Sequence, residues 1–322
     1  MIAPIKMTPS FRYGAATPWG GTGLRALGKE IPDERTGESL EISVLPGLES
    51  RDEKGRTLTE LLADGGTEMR GTNVGETFPL LLKFISAADK LSVQVHPDNR
   101  YAGEHEGGKL GKTEAWVILS AEPDAEIVYG VRPGVTKEQL RHACAAGGRE
   151  LQDCLHTVKV QAGQVYYIPA GMLHALGGGI SVAEIQQSSD VTYRFYDWDR
   201  VDANGKSREL HIEKGLDVVC PDLQMTAVSG TAEKNDRYTL IRYIDEPAFT
   251  LCEVTVPAKT GKFTVPEDPT RFRILCALSD GRIAYGKEAM TVRKGDSVFI
   301  PAAAPELSLE DGLHALLMAP GK

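Results

Sequence analysis

The chain has 322 residues and a formal net charge of −9, with hydrophobic and charged fractions of 41% and 25% that are near the averages for globular proteins. This length suffices for two domains with sizeable cores. A negative charge without a Lys/Arg cluster argues against a nucleic-acid partner, and no apolar run approaches the ~20 residues of a membrane span. Five scattered cysteines without a C-x-x-C pair are typical of reduced thiols, so we expect a cytoplasmic protein.

The first hundred residues predict mostly strands. Residues 38–45 alternate apolar and polar side chains, as a strand does with one face toward a core. Residues 57–63 predict a short helix, because their first residue and Glu60 have the spacing of a capping box. A continuous apolar run at 78–85 indicates a buried strand, and residues 91–97 form the next strand.

That next strand carries two long polar side chains on one face. The period of two places Gln94 and His96 on the same side of the strand, with valines on the other side. Such a pair fits the interior of a barrel that holds an ion. The glycines and charges of residues 103–111 predict a loop after this strand.

A further strand at 111–119 has a polar start that includes Lys112 and Glu114, followed by apolar residues. The segment 136–156 departs from the strand pattern. It contains good helix formers, opens with a second capping box and is broken at Gly147, so it predicts two short helices.

Residues 163–174 combine a strand, a Pro–Gly turn and a histidine. Val165–Ile168 is the β run, Pro169 and Gly171 close a hairpin turn, and His174 begins the next strand. The spacing matches the second sequence motif of cupins, in which this turn brings one imidazole into the mouth of a β-barrel. A histidine in this position suggests a metal ligand.

Three segments follow this motif. Residues 181–187 predict a strand and residues 208–219 a helix, while 188–200 are rich in aromatic and charged side chains. Within that stretch Asp190 and Arg194 are four residues apart. A helix or tight turn there would let the carboxylate orient the guanidinium.

The last part of the chain predicts short strands. Residues 295–302 repeat the beginning of the motif, but Glu306 stands where His174 would fall. We therefore expect a mainly β fold of two cupin-like (jelly-roll) domains, residues 1–220 and 221–322, with a small helical insertion. Only the first domain is expected to bind a metal.

The candidate metal ligands are one amide, two imidazoles and one carboxylate: Gln94, His96, Glu114 and His174. This set suits a borderline divalent cation, and the lack of thiolate argues against a closed structural zinc site. Each residue alone more often has an ordinary structural role, but strand geometry lets all four converge. The remaining histidines have no such context, and we assign none of them to the site: His105, His142, His156, His211 and His314.

Six stretches resemble, in order, the type I phosphomannose isomerases (mannose-6-phosphate isomerases), particularly their short bacterial form. They are residues 19–21, 36–43, 90–102, 111–116, 166–179 and 183–200. The resemblance implies an enzyme with one zinc ion (Zn2+) per chain that interconverts mannose 6-phosphate and fructose 6-phosphate. It places all four candidate ligands on the zinc ligands and Arg194 on the active-site arginine. It also places Lys112 and Asp190 in the active-site cleft.

The implied reaction moves a proton between neighbouring carbons of an open-chain sugar through a cis-enediol. It needs a Lewis acid, a base and a phosphate anchor. Candidate bases are Lys112, Glu41 and a metal-linked water, and candidate anchors are Arg194 and Lys112. Trp19 and Trp198 are candidates to cover the sugar, and Glu41 is a second candidate for substrate binding.

Two other functions stay open at this point. Another cupin metalloenzyme, such as an iron dioxygenase or a different sugar-phosphate isomerase, would use the same fold. Oxygenase cupins, however, use a His-x-His pair, and Gln94 stands in the position of its first histidine. This replacement would lower electron donation to a redox metal. A non-catalytic sugar-binding cupin would not need Lys112 and Arg194 beside a full ligand set. We expect a monomer or homodimer whose partner is a small sugar phosphate, with no nucleic-acid or membrane partner.

Overall fold

The protein folds as four stacked β-sheets with helices on the outside, in a computed structural model that describes residues 2–321. The strands of this part of the chain are β1 (Ile5–Met7), β2 (Ser10–Tyr13), β3 (Thr36–Ile42), β4 (Leu80–Ala87), β5 (Val93–Val95), β6 (Glu114–Ala121), β7 (Glu126–Val131), β8 (Leu155–Lys159), β9 (Val165–Ile168), β10 (His174–Ala175), β11 (Ile180–Gln187), β12 (Tyr193–Tyr196), β13 (Thr231–Lys234), β14 (Thr239–Asp245), β15 (Phe249–Thr255), β16 (Phe263–Val265), β17 (Arg273–Ala277), β18 (Gly281–Tyr285), β19 (Glu288–Val292), β20 (Ser297–Ile300), β21 (Leu307–Glu310) and β22 (His314–Pro320). The α-helices are α1 (Leu58–Arg70), α2 (Asn99–His105), α3 (Lys137–Ala146), α4 (Gly148–Cys154) and α5 (Ile212–Val218), and short 3-10 turns lie at Gly14–Ala16 and Gly23–Leu27.

Two antiparallel sheets form the N-terminal sandwich. One has six strands in the order β2-β3-β4-β11-β6-β9, and the other has five in the order β12-β5-β10-β7-β8. An apolar cluster that includes Trp116, Ile127 and Tyr129 fills the space between them. This arrangement confirms the predicted mainly β, jelly-roll architecture.

Two further sheets continue the stack: the seven-stranded one packs on the outer face of the six-stranded sheet, and the four-stranded one packs on the seven-stranded sheet. A seven-stranded sheet has the order β1-β20-β17-β22-β15-β14-β13, and a four-stranded sheet has the order β16-β21-β18-β19. Phe84 of the six-stranded sheet shares one buried apolar cluster with Phe249 and Phe299 of the seven-stranded sheet. Strand β1 joins the C-terminal half, because it pairs with β20. One N-terminal strand thus belongs to a C-terminal sheet, and one apolar cluster contains residues from both halves. The domain boundary at residue 220 stays a prediction.

The predicted capping boxes are present and their helices follow. At the start of α1 the Glu60 carboxylate accepts from the Thr57 N–H at 2.7 Å, and Thr57 Oγ accepts from the Glu60 N–H at 3.1 Å. The insertion forms α3 and α4, which are broken at Gly147, where φ is 125°. These helices cover the outer face of the five-stranded sheet.

The predicted loop at 103–111 is wrong in its first part, where α2 runs to His105. The helix begins because the Asp98 side chain accepts from the Tyr101 N–H at 2.8 Å, and this cap lies just outside the glycine-rich stretch. Within residues 2–321, no helix has the length and apolar character needed to cross a membrane.

Candidate active site

The candidate ligands come from strands that meet at one end of the N-terminal sandwich. Strand β10 pairs with β5 so that His174 lies opposite Gln94, and Glu114 begins β6 of the facing sheet. His96 follows β5, and its carbonyl accepts from the Gly171 N–H at 2.9 Å. Gly171 has a φ of 88°, which residues with a Cβ adopt only with strain. The Pro–Gly turn thus fixes both imidazoles relative to each other.

Three of the four side chains form a buried cluster, because ligand atoms of His96, Glu114 and His174 all lie within 4.8 Å of one another. Nε2 of His174 is 3.3 Å from Glu114 Oε1, and Nε2 of His96 is 3.6 Å from Oε2. Nδ1 of His96 lies 2.8 Å from the Val191 carbonyl, and Nδ1 of His174 lies 2.9 Å from the Met172 carbonyl. A carbonyl only accepts, so each Nδ1 is the donor and each Nε2 lone pair faces the cluster, as in metal sites.

This donor set fits a divalent metal ion. Glu114 Oε1 is buried without a hydrogen-bond partner, a costly state that metal ligation would relieve. Burial and then the charge of Lys112 lower the pKa of both imidazoles, to about 4 for His174. Both rings are therefore neutral near pH 7, which is the form that binds metals. The Gln94 amide lies 3.4 Å from His174 Nε2, and an amide rotation would present its oxygen instead.

Lys112 lies directly beside the cluster. Its Nζ is 2.9 Å from His96 Nε2 and forms an ion pair with Glu114. Burial alone would lower the pKa of this ammonium group, but the charges of Glu114 and Glu184 outweigh burial and raise it. Lys112 is thus a buried, charged donor at the edge of the ligand set.

A cavity of about 270 Å³ opens next to these residues, and Trp19, Gln94, Lys112, Asp190 and Arg194 of the predicted site line it. Its wall holds five cations and three carboxylates: Arg12, Lys83, Lys112, Arg194, Arg208, Glu38, Glu184 and Asp190. The excess of positive side chains favours an anionic ligand.

Four charged residues of the six-stranded sheet line the cavity and were not predicted: Arg12, Glu38, Lys83 and Glu184. Lys83 Nζ lies 3.4 Å from Glu38 Oε2 and 3.5 Å from Glu184 Oε1. Trp116 Nε1 donates to Glu184 Oε2 at 2.8 Å, whereas Oε1 has no hydrogen-bond partner. The sequence contains one signal for these residues, because Lys83 interrupts the apolar run at 78–85. A charged side chain inside a buried strand is rare without a function or a partner.

Two guanidinium groups lie together at another part of the cavity wall. Arg194, on β12, donates through Nη1 to the Glu209 carbonyl at 2.8 Å, and its buried Nε has no partner. Burial, followed by the positive charge of Arg208, lowers the pKa of Arg194. An anion bound between these groups would relieve both the repulsion and the unpaired donor.

Glu41 does not line this cavity, so its predicted roles as base and substrate ligand are wrong. Its carboxylate is fully buried and accepts from Lys29 Nζ at 2.7 Å and from Ser297 Oγ at 2.9 Å. Side chains alternate along β3, and the alternation turns Glu38 toward the cavity and Glu41 toward the C-terminal half.

The condition for Asp190 to orient Arg194 is not met, because residues 190–192 form neither helix nor turn and Tyr193–Tyr196 is a strand. Asp190 instead pairs with Lys109 at 2.8 Å. Burial alone would raise the pKa of Asp190, but its hydrogen bond with Lys109 gives a net decrease. Trp198 lies outside the cavity wall, and its Nε1 donates to the Leu91 carbonyl at 2.6 Å.

Two of the histidines outside the predicted site, His314 and His211, have defined partners. His314 Nε2 lies 2.6 Å from Glu253 Oε1 in the C-terminal half. His211 Nδ1 accepts from the backbone N–H of Arg194 at 3.4 Å, and the His211 N–H donates to the Arg194 carbonyl at 2.8 Å. His211 therefore supports the strand that carries Arg194.

The chain is similar in sequence and structure to known proteins along most of its length. A model of the family described as phosphomannose isomerase type I, catalytic domain, matches residues 15–124. A mannose-6-phosphate isomerase of Streptococcus mutans is 40% identical over 288 residues, which cover 88% of each chain. The chain belongs to the type I phosphomannose isomerases. Members of this family are metal-dependent, and the His96–Glu114–His174 cluster fits a metal ion.

Other members of this family are similar over nearly the whole chain. A mannose-6-phosphate isomerase of Bacillus subtilis is 37% identical over 312 residues, 95% of this chain and 96% of the relative. The crystal structure of the mannose 6-phosphate isomerase from Bacillus subtilis matches with a TM-score of 0.89 and 34% identity, covering 98% and 99% of the two chains. A phosphomannose isomerase variant from Salmonella typhimurium shares the fold, with a TM-score of 0.76 at 16% identity.

Proposed function

We propose that the protein is a zinc-dependent isomerase that interconverts mannose 6-phosphate and fructose 6-phosphate. The observation that carries this proposal is one cavity of about 270 Å³, which Gln94, Glu184, Lys112 and two guanidinium groups line and which lies next to the buried His96–Glu114–His174 cluster. Relatives named mannose-6-phosphate isomerase, at 40% and 37% identity, support the choice of substrate.

Gln94, His96, Glu114 and His174 would hold the zinc ion through one amide oxygen, two imidazole nitrogens and one carboxylate. When bound, a divalent cation supplies Lewis acidity that stabilises negative charge on the reacting oxygens of the sugar. The absence of thiolate from this set, with cavity space beside it, is typical of catalytic rather than structural zinc sites.

Arg194 and Arg208 would bind the phosphate. A guanidinium group offers paired donors that match two phosphate oxygens, and Arg194 has an unpaired donor at the cavity. Lys112 was the other candidate anchor, but it lies among the metal ligands. The phosphate would therefore lie on the side of the cavity away from the metal ligands. The reacting carbons of the sugar would lie next to those ligands.

The proton transfer would use Glu184 and Lys112. Glu184 Oε1 is buried, lacks a hydrogen bond and lies in the cavity wall, so it is placed to hold the α-proton of the sugar. Lys112 keeps its proton, because neighbouring carboxylates raise its pKa, and it would donate to a reacting oxygen. Trp19 would cover the sugar, and Asp190, paired with Lys109, would orient the substrate.

A coupled assay on mannose 6-phosphate, before and after a chelator and with parallel metal analysis, tests this proposal. Activity should disappear with the chelator and return with zinc, and the fully active protein should hold one metal ion per chain. Bound metal without isomerisation would refute the reaction, and two ions per chain would contradict a metal-free C-terminal half. A monomer or homodimer in the cytoplasm is part of the same proposal, and the five free cysteines support that location.

A further inference from the structure

A four-residue turn next to the cavity holds two side-chain-bearing residues in left-handed backbone. Trp198 has a φ of 58° and Asp199 a φ of 55°, a conformation that costs free energy for residues other than glycine. The Arg200 N–H donates to the Asp197 carbonyl at 3.1 Å and closes the turn. Strain of this kind persists where surrounding contacts over-determine it, and it concentrates at functional sites.

The turn is fastened to the segment that leads into the ligand strand β5. Trp198 Nε1 donates to the Leu91 carbonyl at 2.6 Å, and Arg200 Nη2 donates to Asp89 Oδ2 at 3.1 Å. Leu91 and Gln94 both line the cavity. The turn is therefore held in a fixed position relative to the cavity wall.

The side chain at the start of this turn holds a cavity-lining arginine. Asp197 is buried, with 5% exposure, and both of its oxygens accept from Arg208: Nε donates to Oδ2 at 2.7 Å, and Nη2 donates to Oδ1. Arg200 Nη1 also donates to Oδ1, at 3.1 Å. A bidentate pair fixes the plane of a guanidinium group, which a single contact does not.

Arg208 lines the cavity beside Arg194, whose buried Nε lacks a partner. Of the two groups, Arg208 alone has a carboxylate partner, and that carboxylate lies in the strained turn. The direction in which Arg208 points is thus set by Asp197, and the position of Asp197 is set by the turn.

We propose that Asp197 is a positioning residue for phosphate recognition, which holds Arg208 in the orientation in which it binds the substrate phosphate together with Arg194. The inference rests on the proposed function for the identity of the substrate. Asp197 does not line the cavity, and of its two arginine partners only Arg208 does, so Asp197 acts on the substrate through Arg208. Its loss therefore weakens substrate binding and leaves the chemical step unchanged.

The Asp197→Asn variant tests this, because it keeps the shape of the side chain and removes its charge and one of its two acceptors. We expect about a tenfold rise in KM for mannose 6-phosphate and in the dissociation constant of inorganic phosphate, measured by calorimetry. The kcat should stay within about twofold and the metal content should not change. Asp199→Asn is the matched control, since Asp199 lies in the same turn but accepts from the Tyr196 hydroxyl at 2.8 Å. It should leave both constants unchanged.

A double-mutant cycle tests whether Asp197 acts through Arg208. Asp197→Asn should add no further loss of phosphate affinity in an Arg208→Met background, and an additive loss would overturn the proposal. So would an unchanged phosphate constant in folded Asp197→Asn protein, or a fall in kcat with an unchanged KM. If Asp197→Asn does not fold, Arg208→Lys replaces it, because lysine keeps the charge but cannot form the bidentate pair. Normal phosphate affinity in Arg208→Lys would overturn the proposal.

Phosphate binding is measured without turnover, which separates this inference from the proposed function. A wild-type protein that binds phosphate but does not isomerise mannose 6-phosphate refutes the reaction. The comparison of phosphate affinity between wild type and Asp197→Asn still decides the role of Asp197.

Discussion

Replacement of Lys29 by methionine perturbs a buried ion pair of the N-terminal half that lies at its contact with the C-terminal half. Lys29 Nζ lies 2.7 Å from Glu41 Oε2, and the two side chains are 9% and 0% exposed. The ammonium group also donates to the Gly295 carbonyl at 2.7 Å, and Ser297 donates to the same carboxylate at 2.9 Å. Methionine fills a similar volume but leaves Glu41 as a buried charge with hydroxyl donors alone.

We expect Lys29→Met to lower the free energy of unfolding by about 3–5 kcal/mol, because removal of one partner leaves an uncompensated buried charge. At about 2 °C per kcal/mol for a chain of this size, the melting temperature in calorimetry should fall by roughly 6–10 °C. The double variant Lys29→Met/Glu41→Gln should recover most of this loss, because it removes the buried charge as well.

The loss should shrink at acid pH. Burial raises the pKa of Glu41, and Lys29, Ser39 and Ser297 offset this only in part. Without Lys29 the pKa rises further. Between the ordinary carboxyl pKa and this raised value, the folded state binds a proton that the unfolded state lacks, so stability falls as pH rises through that window. The expectation is wrong if Lys29→Met lowers the melting temperature by less than about 2 °C at neutral pH. It is also wrong if the difference in melting temperature from the wild type grows on acidification.

Three substitutions test the active site directly. His174→Ala should lose bound metal and isomerase activity together in elemental analysis and the coupled assay, and full zinc content with normal turnover would contradict the ligand set. Arg194→Ala should lower kcat/KM at least about a hundredfold without a change in melting temperature, because a charged phosphate contact is lost. Near-normal kinetics would remove Arg194 from the mechanism. Glu184→Gln should keep its metal but lower kcat by about 10²–10⁴-fold, and a retained kcat would exclude Glu184 as the base.

Sequence patterns predicted those parts of the fold that depend on neighbouring residues. Strand β9 was predicted with both of its ends, and the helix after Thr57 begins as its capping box requires, although it extends to Arg70 rather than Ala63. Helix α2 was missed because its single capping residue, Asp98, precedes a stretch whose glycines indicate a loop.

The site could be predicted only where a motif carried it. His96, Glu114 and His174 lie together, as predicted from their motifs. Glu38 and Glu41 lie on opposite faces of β3, so that Glu38 lines the cavity while Glu41 lies at the contact between the two halves. Both faces of β3 are buried between two layers of sheet, so alternation of polar and apolar residues does not reveal which face lines the cavity. That assignment depends on which sheet packs on each side, a tertiary property.

The two copies of the Gly/Pro motif provide a matched test of what the second copy does. Gly163 and Gly295 occupy equivalent positions with φ values of 88° and 89°. A Cβ on Gly163 would meet open space, but one on Gly295 would lie 2.0 Å from the Leu27 carbonyl oxygen. Both alanine variants should lose about 1 kcal/mol from the strained φ.

Gly295→Ala should lose at least about 2 kcal/mol more than Gly163→Ala, because the backbone of the N-terminal half must move away from β20. Calorimetry on both variants measures the difference, and bound metal should stay unchanged in Gly295→Ala. Equal melting temperatures would mean that the second motif forms its local turn but does not stabilise the contact between the two halves. A larger loss in Gly295→Ala would mean that the copy without ligands holds the two halves together through the same segment that accepts from Lys29.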